Sequence, residues 1–242
     1  MEKKYYSVLY HHQNTFWWYK GMKDINIRLI KKFLPRGENR ILDAGCGAGA
    51  ALPYLSQFGN AVGIDASSDA VRYAKTIGKA MKGNIMHLPF KNETFDMVFC
   101  FGVLYHRWVI DDNVAIAEFR RVLKKGGFLY SQEPAYHWLM GNEDEISQGK
   151  HRYTLPEMQK KLKQKKFKIL KATYVNTILL PLAILRRLPN ILGFREKKKE
   201  SDIFTLPPIV NALFYIILRI EGLLLQYVNF PHGMSIICIA KK

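Results

Sequence analysis

Between residues 41 and 131 the chain alternates short apolar runs with segments whose apolar positions recur at helical spacing. The apolar runs predict strands near 40–44, 61–65, 83–86, 95–101 and 127–133. The amphipathic segments predict helices near 49–58, 69–80 and 113–124. Strands that alternate with helices form a parallel sheet with helices on both faces, so the predicted fold class is α/β and doubly wound. Ligands of such sheets bind at the carboxyl ends of the strands.

The segments on either side of this core have different patterns. Residues 1–35 are rich in aromatic side chains at helical spacing, and we expect them to form an N-terminal helical cap. Leu155–Lys165 predicts one more helix, and Phe167–Tyr174 and Met234–Ala240 predict the last two strands. At this length the chain is expected to be a single domain, residues 1–242.

The segment between the last two strands, residues 176–230, is far longer than an ordinary hairpin loop of about 2–5 residues. It contains two strongly apolar stretches, Thr177–Arg187 and Leu206–Val228. A membrane-spanning helix needs about 20 apolar residues with few charges, and Arg219 and Glu221 interrupt the longer stretch. We therefore expect an apolar helical insertion. It suits a membrane interface, and a helical cap packed on the sheet or a dimer surface is the alternative.

A glycine-rich turn after the first predicted strand carries the clearest chemical signal. Residues 41–49 read Ile-Leu-Asp-Ala-Gly-Cys-Gly-Ala-Gly, so a ligand can approach the backbone at Gly45 and Gly47. Asp65 ends the second predicted strand, 22 residues after Asp43. An acid about 20 residues past the glycine turn of a doubly wound sheet binds the ribose of a nucleoside. The first half of the chain is therefore predicted to bind a nucleoside.

Two classes of nucleoside cofactor fit this turn to different degrees. Gly45, Gly47 and Ala50 match the loose dinucleotide pattern G-x-G-x-x-G/A. Asp43, however, lies two residues before the first glycine and would repel a pyrophosphate, and a third glycine stands at Gly49. A phosphate-free ligand with a ribose, an amino group and a sulfonium suits these charges better. A nicotinamide oxidoreductase is therefore disfavoured.

Further motifs follow the glycine turn and Asp65 in a fixed order. They are Leu88-Pro89-Phe90, Phe95-Asp96-Met97-Val98, Val103-Leu104-Tyr105-His106 and Arg121-Val122-Leu123-Lys124-Lys125-Gly126-Gly127. Over roughly residues 15–175, this order resembles the class I S-adenosylmethionine-dependent methyltransferases of the type 11 family. The resemblance implies S-adenosyl-L-methionine as cofactor. It also implies a Rossmann-like, seven-stranded, mostly parallel sheet with an antiparallel last strand.

A second, looser likeness extends beyond these motifs. Its residues are Trp17-Trp18, Pro134-Ala135-Tyr136, His151-Arg152-Tyr153-Thr154 and Pro231-His232-Gly233-Met234-Ser235. They resemble a subgroup associated with cell-envelope glycolipid chemistry.

The methyltransferase resemblance implies roles for the residues around the ribose and the amino acid part of the cofactor. Asp65 would accept hydrogen bonds from both ribose hydroxyls, with Ala66 beside it. Asp43 would face the cofactor's amino group. Three glycines would let the backbone approach the ligand and let the next helix pack closely: Gly45, Gly47 and Gly49.

The same resemblance places the adenine ring. Asn84 stands where the family usually has an Asp that accepts a hydrogen bond from the adenine amine. Its side-chain oxygen still accepts, without the assistance of a charge. Ile85 would pack on the ring, and Phe101 would lie under the ligand. Three aromatic residues lie ahead of the first strand: Trp17, Trp18 and Tyr19. We expect them to form a buried hydrophobic anchor, and a lid over the cofactor is the alternative.

His106 is the candidate catalytic residue. With an ordinary pKa near 6.5, it would take a proton from a hydroxyl or carboxyl acceptor. The alternative is that His106 orders the loop after the fourth strand. Weaker candidates fall near strand ends or in the loop expected to cover the acceptor: Tyr105, Glu133, His137 and His151.

The charge is strongly basic and uneven. The chain has a net charge of +17, and residues 151–242 hold 17 Lys and Arg against 5 Asp and Glu. Anionic lipid, nucleic acid or a plain solvated face would each suit this excess. The sequence shows no interleaving of aromatic and basic residues typical of single-strand binding, which argues against nucleic acid.

The sequence leads to one expected function with stated alternatives. We expect a methyltransferase that acts on a small or lipid/glycan-linked acceptor, in the cytoplasm and at the inner face of the membrane. Three cysteines without paired spacing and an N-terminus without an apolar signal segment favour that compartment. An RNA or other nucleic-acid methyltransferase and a non-catalytic cofactor-binding protein are the alternatives. Oligomeric state is open, and no metal motif is visible.

Overall fold

A computed structural model describes residues 3–191 and 206–242, and a seven-stranded sheet lies at the centre of this part of the chain. The strands are β1 Asn39–Ala44, β2 Gly59–Asp65, β3 Ala80–Lys82, β4 Phe95–Phe101, β5 Leu123–Pro134, β6 Lys168–Val175 and β7 Ser235–Lys241. Their order in the sheet is β3-β2-β1-β4-β5-β7-β6. The first five strands pair in parallel, and β7 runs antiparallel to both β5 and β6. The predicted fold class is confirmed.

Nine α-helices surround the sheet within the same residues. They are α1 Lys3–His12, α2 Trp17–Phe33, α3 Leu52–Leu55, α4 Ser68–Ala74, α5 Asp112–Val122, α6 Asn142–Ser147, α7 Leu155–Gln164, α8 Leu180–Ile191 and α9 Pro208–Leu224. The N-cap side chains of Ser67, Asp111 and Thr154 accept backbone N–H bonds at the starts of α4, α5 and α7. Thr154 thus caps the helix that the sequence predicts from Leu155.

Three elements differ from the sequence predictions. The third strand is Ala80–Lys82 rather than 83–86, because the Asn84 side chain accepts the backbone N–H of Met86 at 2.9 Å and forms a turn there. The helix expected near 49–58 is shortened to α3. The helix expected near 69–80 ends at Ala74. There the Thr76 hydroxyl donates to the carbonyl of Tyr73 at 2.7 Å, a side-chain bond that competes with the continuation of the helix.

The core consists of two apolar layers, one on each face of the sheet. On one face, Phe119 of α5 and Leu162 of α7 are completely buried. On the other face, Ile25 and Leu29 of α2 are buried together with Leu218 of α9. The insertion therefore contributes to the core as well as to the surface.

Helices α2 and α9 are in close contact, although they lie far apart in the chain. A Cβ atom at Gly21 would lie 2.4 Å from the Leu218 side chain, and one at Gly222 would lie 3.0 Å from Ile25. Glycine at these two positions allows the helix backbones to approach. The hydroxyl of Tyr215 also donates to Asp24 at 2.7 Å. The N-terminal segment and the insertion thus form one helical layer on the sheet.

Glu221 of α9 joins the insertion to the end of β6. Its carboxylate is fully buried and accepts the backbone N–H groups of Asn176, Thr177 and Ile178. These residues lead into α8, so one side chain joins the start of α8 to the C-terminal part of α9.

The outward face of α9 is apolar. Ile209, Leu213, Ile216, Ile220 and Tyr227 recur at helical spacing and are between 49% and 84% exposed, and we call them the α9 stripe. Among the described helices, none has both the length and the apolarity to cross a bilayer.

Candidate cofactor and acceptor site

A cavity of about 1200 Å³ opens at the carboxyl ends of β1, β2, β4 and β5. The strand-end residues Asp43, Asp65, Phe101 and Glu133 line one side of it. Apolar side chains of α8, of α9 and of the turn before α8 also line it, among them Leu179, Leu182, Val210 and Phe214. Single ligand pockets are typically about 300–1,000 Å³, so this cavity is larger than that range and has room for a second small ligand.

The glycine turn after β1 has the conformation that its sequence predicts. Gly45, Gly47 and Gly49 have φ angles of +86°, +52° and +89°, a region that favours glycine. A Cβ atom at Gly45 would lie 2.4 Å from Val103, and one at Gly49 would lie 2.9 Å from the backbone of Ala74 in α4. A Cβ at Gly47 would meet no described atom within 4 Å, which leaves the backbone open to the cavity.

Asp65 lies where the spacing predicts, at the end of β2 and on the cavity wall. One carboxylate oxygen accepts the N–H of Gly47 at 2.9 Å, and the other accepts the N–H of Ser67 at 2.8 Å. Burial raises the pKa of this carboxyl, and both hydrogen bonds oppose the rise. The two bonds fix the carboxylate, and its remaining lone pairs can accept donors from a ligand.

Asp43 is almost completely buried at the end of β1. Its Oδ2 has no hydrogen-bond partner in the described part of the chain. Burial and then the charge of Asp65 raise the pKa of Asp43 to about 7. An acid in this state favours a ligand that brings a donor or a positive charge.

Ala66, expected beside the ribose, and the residues expected around the adenine ring also line the cavity: Asn84, Ile85 and Phe101. Ile85 is buried, and Phe101 stacks on Phe99 with ring centres 5.7 Å apart. The Asn84 oxygen already accepts the N–H of Met86 and has one further lone pair for a ligand. Their cofactor contacts stay predictions.

His106 also lines the cavity, with its ring centre 4.1 Å from that of Tyr105. Burial lowers the pKa of His106 to about 4. The ring is therefore neutral near pH 7, and it is a weaker proton acceptor than its ordinary pKa suggests. Its catalytic role stays a prediction.

Glu133 is a stronger feature of the site than its sequence suggests. It is almost fully buried at the end of β5, and its Oε1 accepts the N–H groups of Val103 at 3.2 Å and Leu104 at 3.1 Å. Its Oε2 has no partner among the described residues. Burial raises the pKa of Glu133 to about 8. The position of an acid at the carboxyl end of a central strand was the available sequence signal.

The remaining candidates divide between the cavity and its surroundings. Tyr105 lines the cavity and donates to Ser147 at 2.8 Å. His137 and His151 are not among the lining residues, and His151 pairs with Glu157 at 2.9 Å. The aromatic residues Trp17, Trp18 and Tyr19 are half-buried and contribute to the cavity wall. This position agrees in part with each of the two interpretations, a buried anchor and a lid over the cofactor.

Comparison with known proteins gives the class of this site. Residues 42–131 match a family model described as a methyltransferase domain. The match includes the glycine turn, Asp65, Phe101 and the start of β5, and it implies S-adenosylmethionine as the cofactor. Asp43 with its unpartnered oxygen and the open backbone at Gly47 fit this cofactor, which has an amino group and no phosphate.

Curated relatives of the methyltransferase domain differ in function. An uncharacterized protein of Methanocaldococcus jannaschii, MJ0638, is 39% identical over 101 residues, which is 42% of this chain and 43% of that protein. The malonyl-[acyl-carrier protein] O-methyltransferase of Hamiltonella defensa is 32% identical over 130 residues, which is 52% of this chain and 48% of that protein. The chain thus spans about half the length of the curated relatives it matches.

A solved structure extends the likeness beyond the methyltransferase domain. The YcgJ protein from Bacillus subtilis has a TM-score of 0.59 at 20% identity, over 90% of this chain and 97% of that one. At this identity the likeness shows the fold.

Proposed function

We propose that the protein transfers the methyl group of S-adenosylmethionine to an acceptor that carries an apolar chain, at a membrane surface. One observation supports this most directly. A single cavity joins the strand-end acids of the methyltransferase domain to the apolar walls of α8 and α9. Donor and acceptor would therefore meet inside it.

The cofactor would occupy the half of the cavity beside β1 and β2. Asp65 would bind the ribose, Asp43 the amino group, and the backbone at Gly47 would lie against the ligand. S-adenosylmethionine supplies an already activated methyl group on its sulfonium. The protein's task is then to hold the reacting groups in line and to exclude water, which requires no nucleophilic side chain.

The acceptor would occupy the half beside α8 and α9. Leu182 and Leu185 line the cavity and are also 48% and 66% exposed. Trp108 lines it too and is 58% exposed. The cavity thus has apolar side chains at its opening, and an apolar chain would keep them from water as it enters.

The outer surface supports the membrane part of the proposal. The α9 stripe is exposed and apolar. Lys32 of α2 lies 4.0 Å from the ring centre of Tyr227, and Lys20 lies 4.5 Å from that of Tyr215. Apolar residues flanked by cations suit the interface of an anionic membrane.

Calorimetric titration with S-adenosylhomocysteine tests the cofactor half. The wild-type protein should bind it. Asp65→Ala should weaken binding at least about tenfold, because it removes hydrogen bonds to a charged acceptor worth roughly 1.5–3 kcal/mol each. Asp69→Ala is the matched control, since Asp69 pairs with Arg72 at the surface of α4 at 3.2 Å.

Two results would contradict the assignment. One is unchanged affinity in the Asp65→Ala protein, provided that its thermal unfolding shows an intact fold. The other is tighter binding of NADH than of S-adenosylhomocysteine, which would restore the dinucleotide alternative. A different result bears on the acceptor alone. If the protein methylates an RNA and no apolar compound, its acceptor is a nucleic acid and not an apolar chain.

A further inference from the structure

The buried polar atoms that line the cavity without a hydrogen-bond partner share a chemical property. Among the described residues, they are Gln13 Oε1, Asp43 Oδ2, His106 Nδ1, Gln132 Oε1 and Glu133 Oε2. Four of these five are oxygens that accept hydrogen bonds. Buried polar groups in folded proteins nearly always have partners. The cavity is therefore built for ligands that donate hydrogen bonds.

The sheet order assigns these acceptors to different ligands. Asp65 and Asp43 end the neighbouring strands β2 and β1, whereas Glu133 ends β5, with β4 between β1 and β5. Neighbouring strands lie about 4.8 Å apart, so Glu133 is displaced by two strand spacings from Asp43. It lies on the side away from β2 and from the ribose position at Asp65. Glu133 therefore belongs to the acceptor half.

The carboxylate of Glu133 is held in one orientation. Its Oε1 accepts the backbone N–H groups of Val103 and Leu104, and the Cys100 thiol lies 3.6 Å away. With Oε1 fixed by these donors, Oε2 is left without a partner among the described residues, and it is an acceptor once the carboxyl, whose pKa burial raises to about 8, is ionised. Glu133 lines the cavity. A ligand donor at Oε2 would complete the hydrogen bonding of the carboxylate.

Among the described residues, the cations that line the cavity are Lys23, Arg152, Arg186 and Arg187. Arg152 donates two hydrogen bonds to Asp144, at 2.7 and 2.8 Å, so its charge is compensated. Arg187 donates to the carbonyl of Leu139. An acceptor with a carboxylate or phosphate end would bring a further negative charge beside the buried acids Glu133 and Asp43.

We propose that the acceptor is an apolar chain ending in a hydrogen-bond donor, a hydroxyl or a protonated amine, and that Glu133 Oε2 receives that donor. The chain would lie between α8 and α9, against Leu179, Val210 and Phe214. This inference rests on the proposed function and names its acceptor class. It makes Glu133 the residue that selects the polar end of the acceptor.

Simple alkyl compounds test the proposal before any natural acceptor is known. The protein, loaded with S-adenosylhomocysteine, is titrated with decanol, decylamine and decanoate. Binding is followed by the fluorescence of the tryptophans that line the cavity, Trp17, Trp18 and Trp108, and by calorimetry. Decanol and decylamine should bind at least about tenfold more tightly than decanoate.

The titrations are made at about pH 9, where the Glu133 carboxyl, with a pKa raised to about 8, is ionised. Asp43 is ionised there as well. The groups that face Glu133 from the neighbouring elements keep their protons, because burial raises the pKa of each above its ordinary value: Cys100, Tyr105 and Tyr153.

Glu133→Gln is the informative variant. The N–H groups of Val103 and Leu104 would hold the amide oxygen in the place of Oε1, so the amide NH₂ would face the cavity in the place of Oε2. An acceptor is thereby exchanged for a donor. The tenfold preference should then fall below about threefold, with tighter binding of decanoate. Glu38→Gln is the control, because Glu38 is exposed just before β1, at the amino ends of the strands and away from the cavity.

The outcomes separate this inference from the proposed function. Decanoate bound as tightly as decanol by the wild-type protein would overturn it, as would an unchanged preference in a folded Glu133→Gln protein. Binding of S-adenosylhomocysteine without binding of any alkyl compound would also overturn it, while leaving the cofactor assignment intact. The wild-type comparison decides the matter even where the variant does not fold. A protein that fails to bind S-adenosylhomocysteine would instead refute the proposed function.

Discussion

Asp43 and Glu133 are acids that the fold keeps from ionising at their ordinary pKa values. Burial is the main cause for both, and the charge of Asp65 adds to it for Asp43. A ligand that brings a positive charge or a donor would lower both pKa values again. Cofactor binding should therefore release protons near pH 7.

The titration of Asp43 should be visible in protein stability. Its pKa rises from 3.8 to about 7 on folding, so in this pH window the folded state holds a proton that the unfolded state has released. Stability therefore falls as pH rises through the window. Asp43→Asn should remove that part of the fall, at most roughly 4 kcal/mol. Urea unfolding of both proteins at about pH 4 and pH 8 measures it.

Two further measurements define this effect. Glu133 still titrates in the Asp43→Asn protein, so a smaller fall with pH should remain. Asp69→Asn, on the surface of α4, should follow the wild-type profile. Equal slopes in the wild-type and Asp43→Asn proteins would show that Asp43 is ionised in the folded state.

Sequence reasoning reached some of these residues and not others, for physical reasons. Gly45, Gly47 and Asp65 could be predicted because their spacing follows from the local geometry of a strand, a turn and a strand. The lowered pKa of His106 and the raised pKa of Glu133 could not. Both depend on burial by segments distant in the chain, which no local pattern records.

Helix α9 depends on a single buried carboxylate for its attachment to β6. Glu221→Ala would leave the N–H groups of Asn176, Thr177 and Ile178 without their acceptor. We expect this to cost roughly 2–4 kcal/mol of stability, and Glu221→Gln, which keeps one accepting oxygen, to cost less. Urea unfolding measures both.

The expected ranking has a matched control on the same helix. Arg219→Ala lies two positions away and is exposed, so it should change stability by less than about 0.5 kcal/mol. Hydrogen exchange at residues 176–178 should speed up in Glu221→Ala and stay slow in Arg219→Ala. If Glu221→Ala is as stable as Arg219→Ala, the carboxylate does not fix these elements.

The elements themselves were largely predictable, because strands and helices have their own hydrophobic periods. The contact between α2 and α9 was not. Gly21 and Gly222 look like weak points in isolated helices, and only their close approach in the fold explains them. The third strand was displaced for a similar reason, since the turn at Asn84 depends on a side-chain hydrogen bond.

The molecule combines an exposed apolar stripe with an excess of positive charge. The α9 stripe lies outside the α2–α9 contact, and the net charge is +17. The insertion also contains a basic run, Arg195 with Lys197 to Lys199, which suits an anionic membrane surface and lies outside the described residues. Any test should therefore begin with the stripe.

Vesicle co-sedimentation tests membrane association. The protein should sediment with anionic vesicles and less with neutral ones, and high salt should weaken binding, because each basic residue near the surface adds about 1 kcal/mol. Leu213→Glu with Ile220→Glu should reduce binding at least about tenfold, since these side chains are about half exposed, at 51% and 49%.

Leu170→Glu is the control for added negative charge, because Leu170 is 38% exposed on β6, away from the stripe. Equal loss of binding in both proteins would show that charge alone is responsible. A protein that stays in the supernatant with every lipid mixture would refute the membrane proposal. It would leave the cofactor assignment intact, because that assignment depends on residues 42–131.

The position of β7 has a consequence for how the chain is made. This strand follows α9 in the sequence, yet it lies inside the sheet, between β5 and β6. During synthesis, the α9 stripe therefore leaves the ribosome before β7 is available to fill the gap between β5 and β6. Contacts between residues so distant in sequence also form slowly. A newly made molecule thus passes through a stage with an apolar helix and an open strand edge exposed together, when a lipid surface or a chaperone would protect it from aggregation.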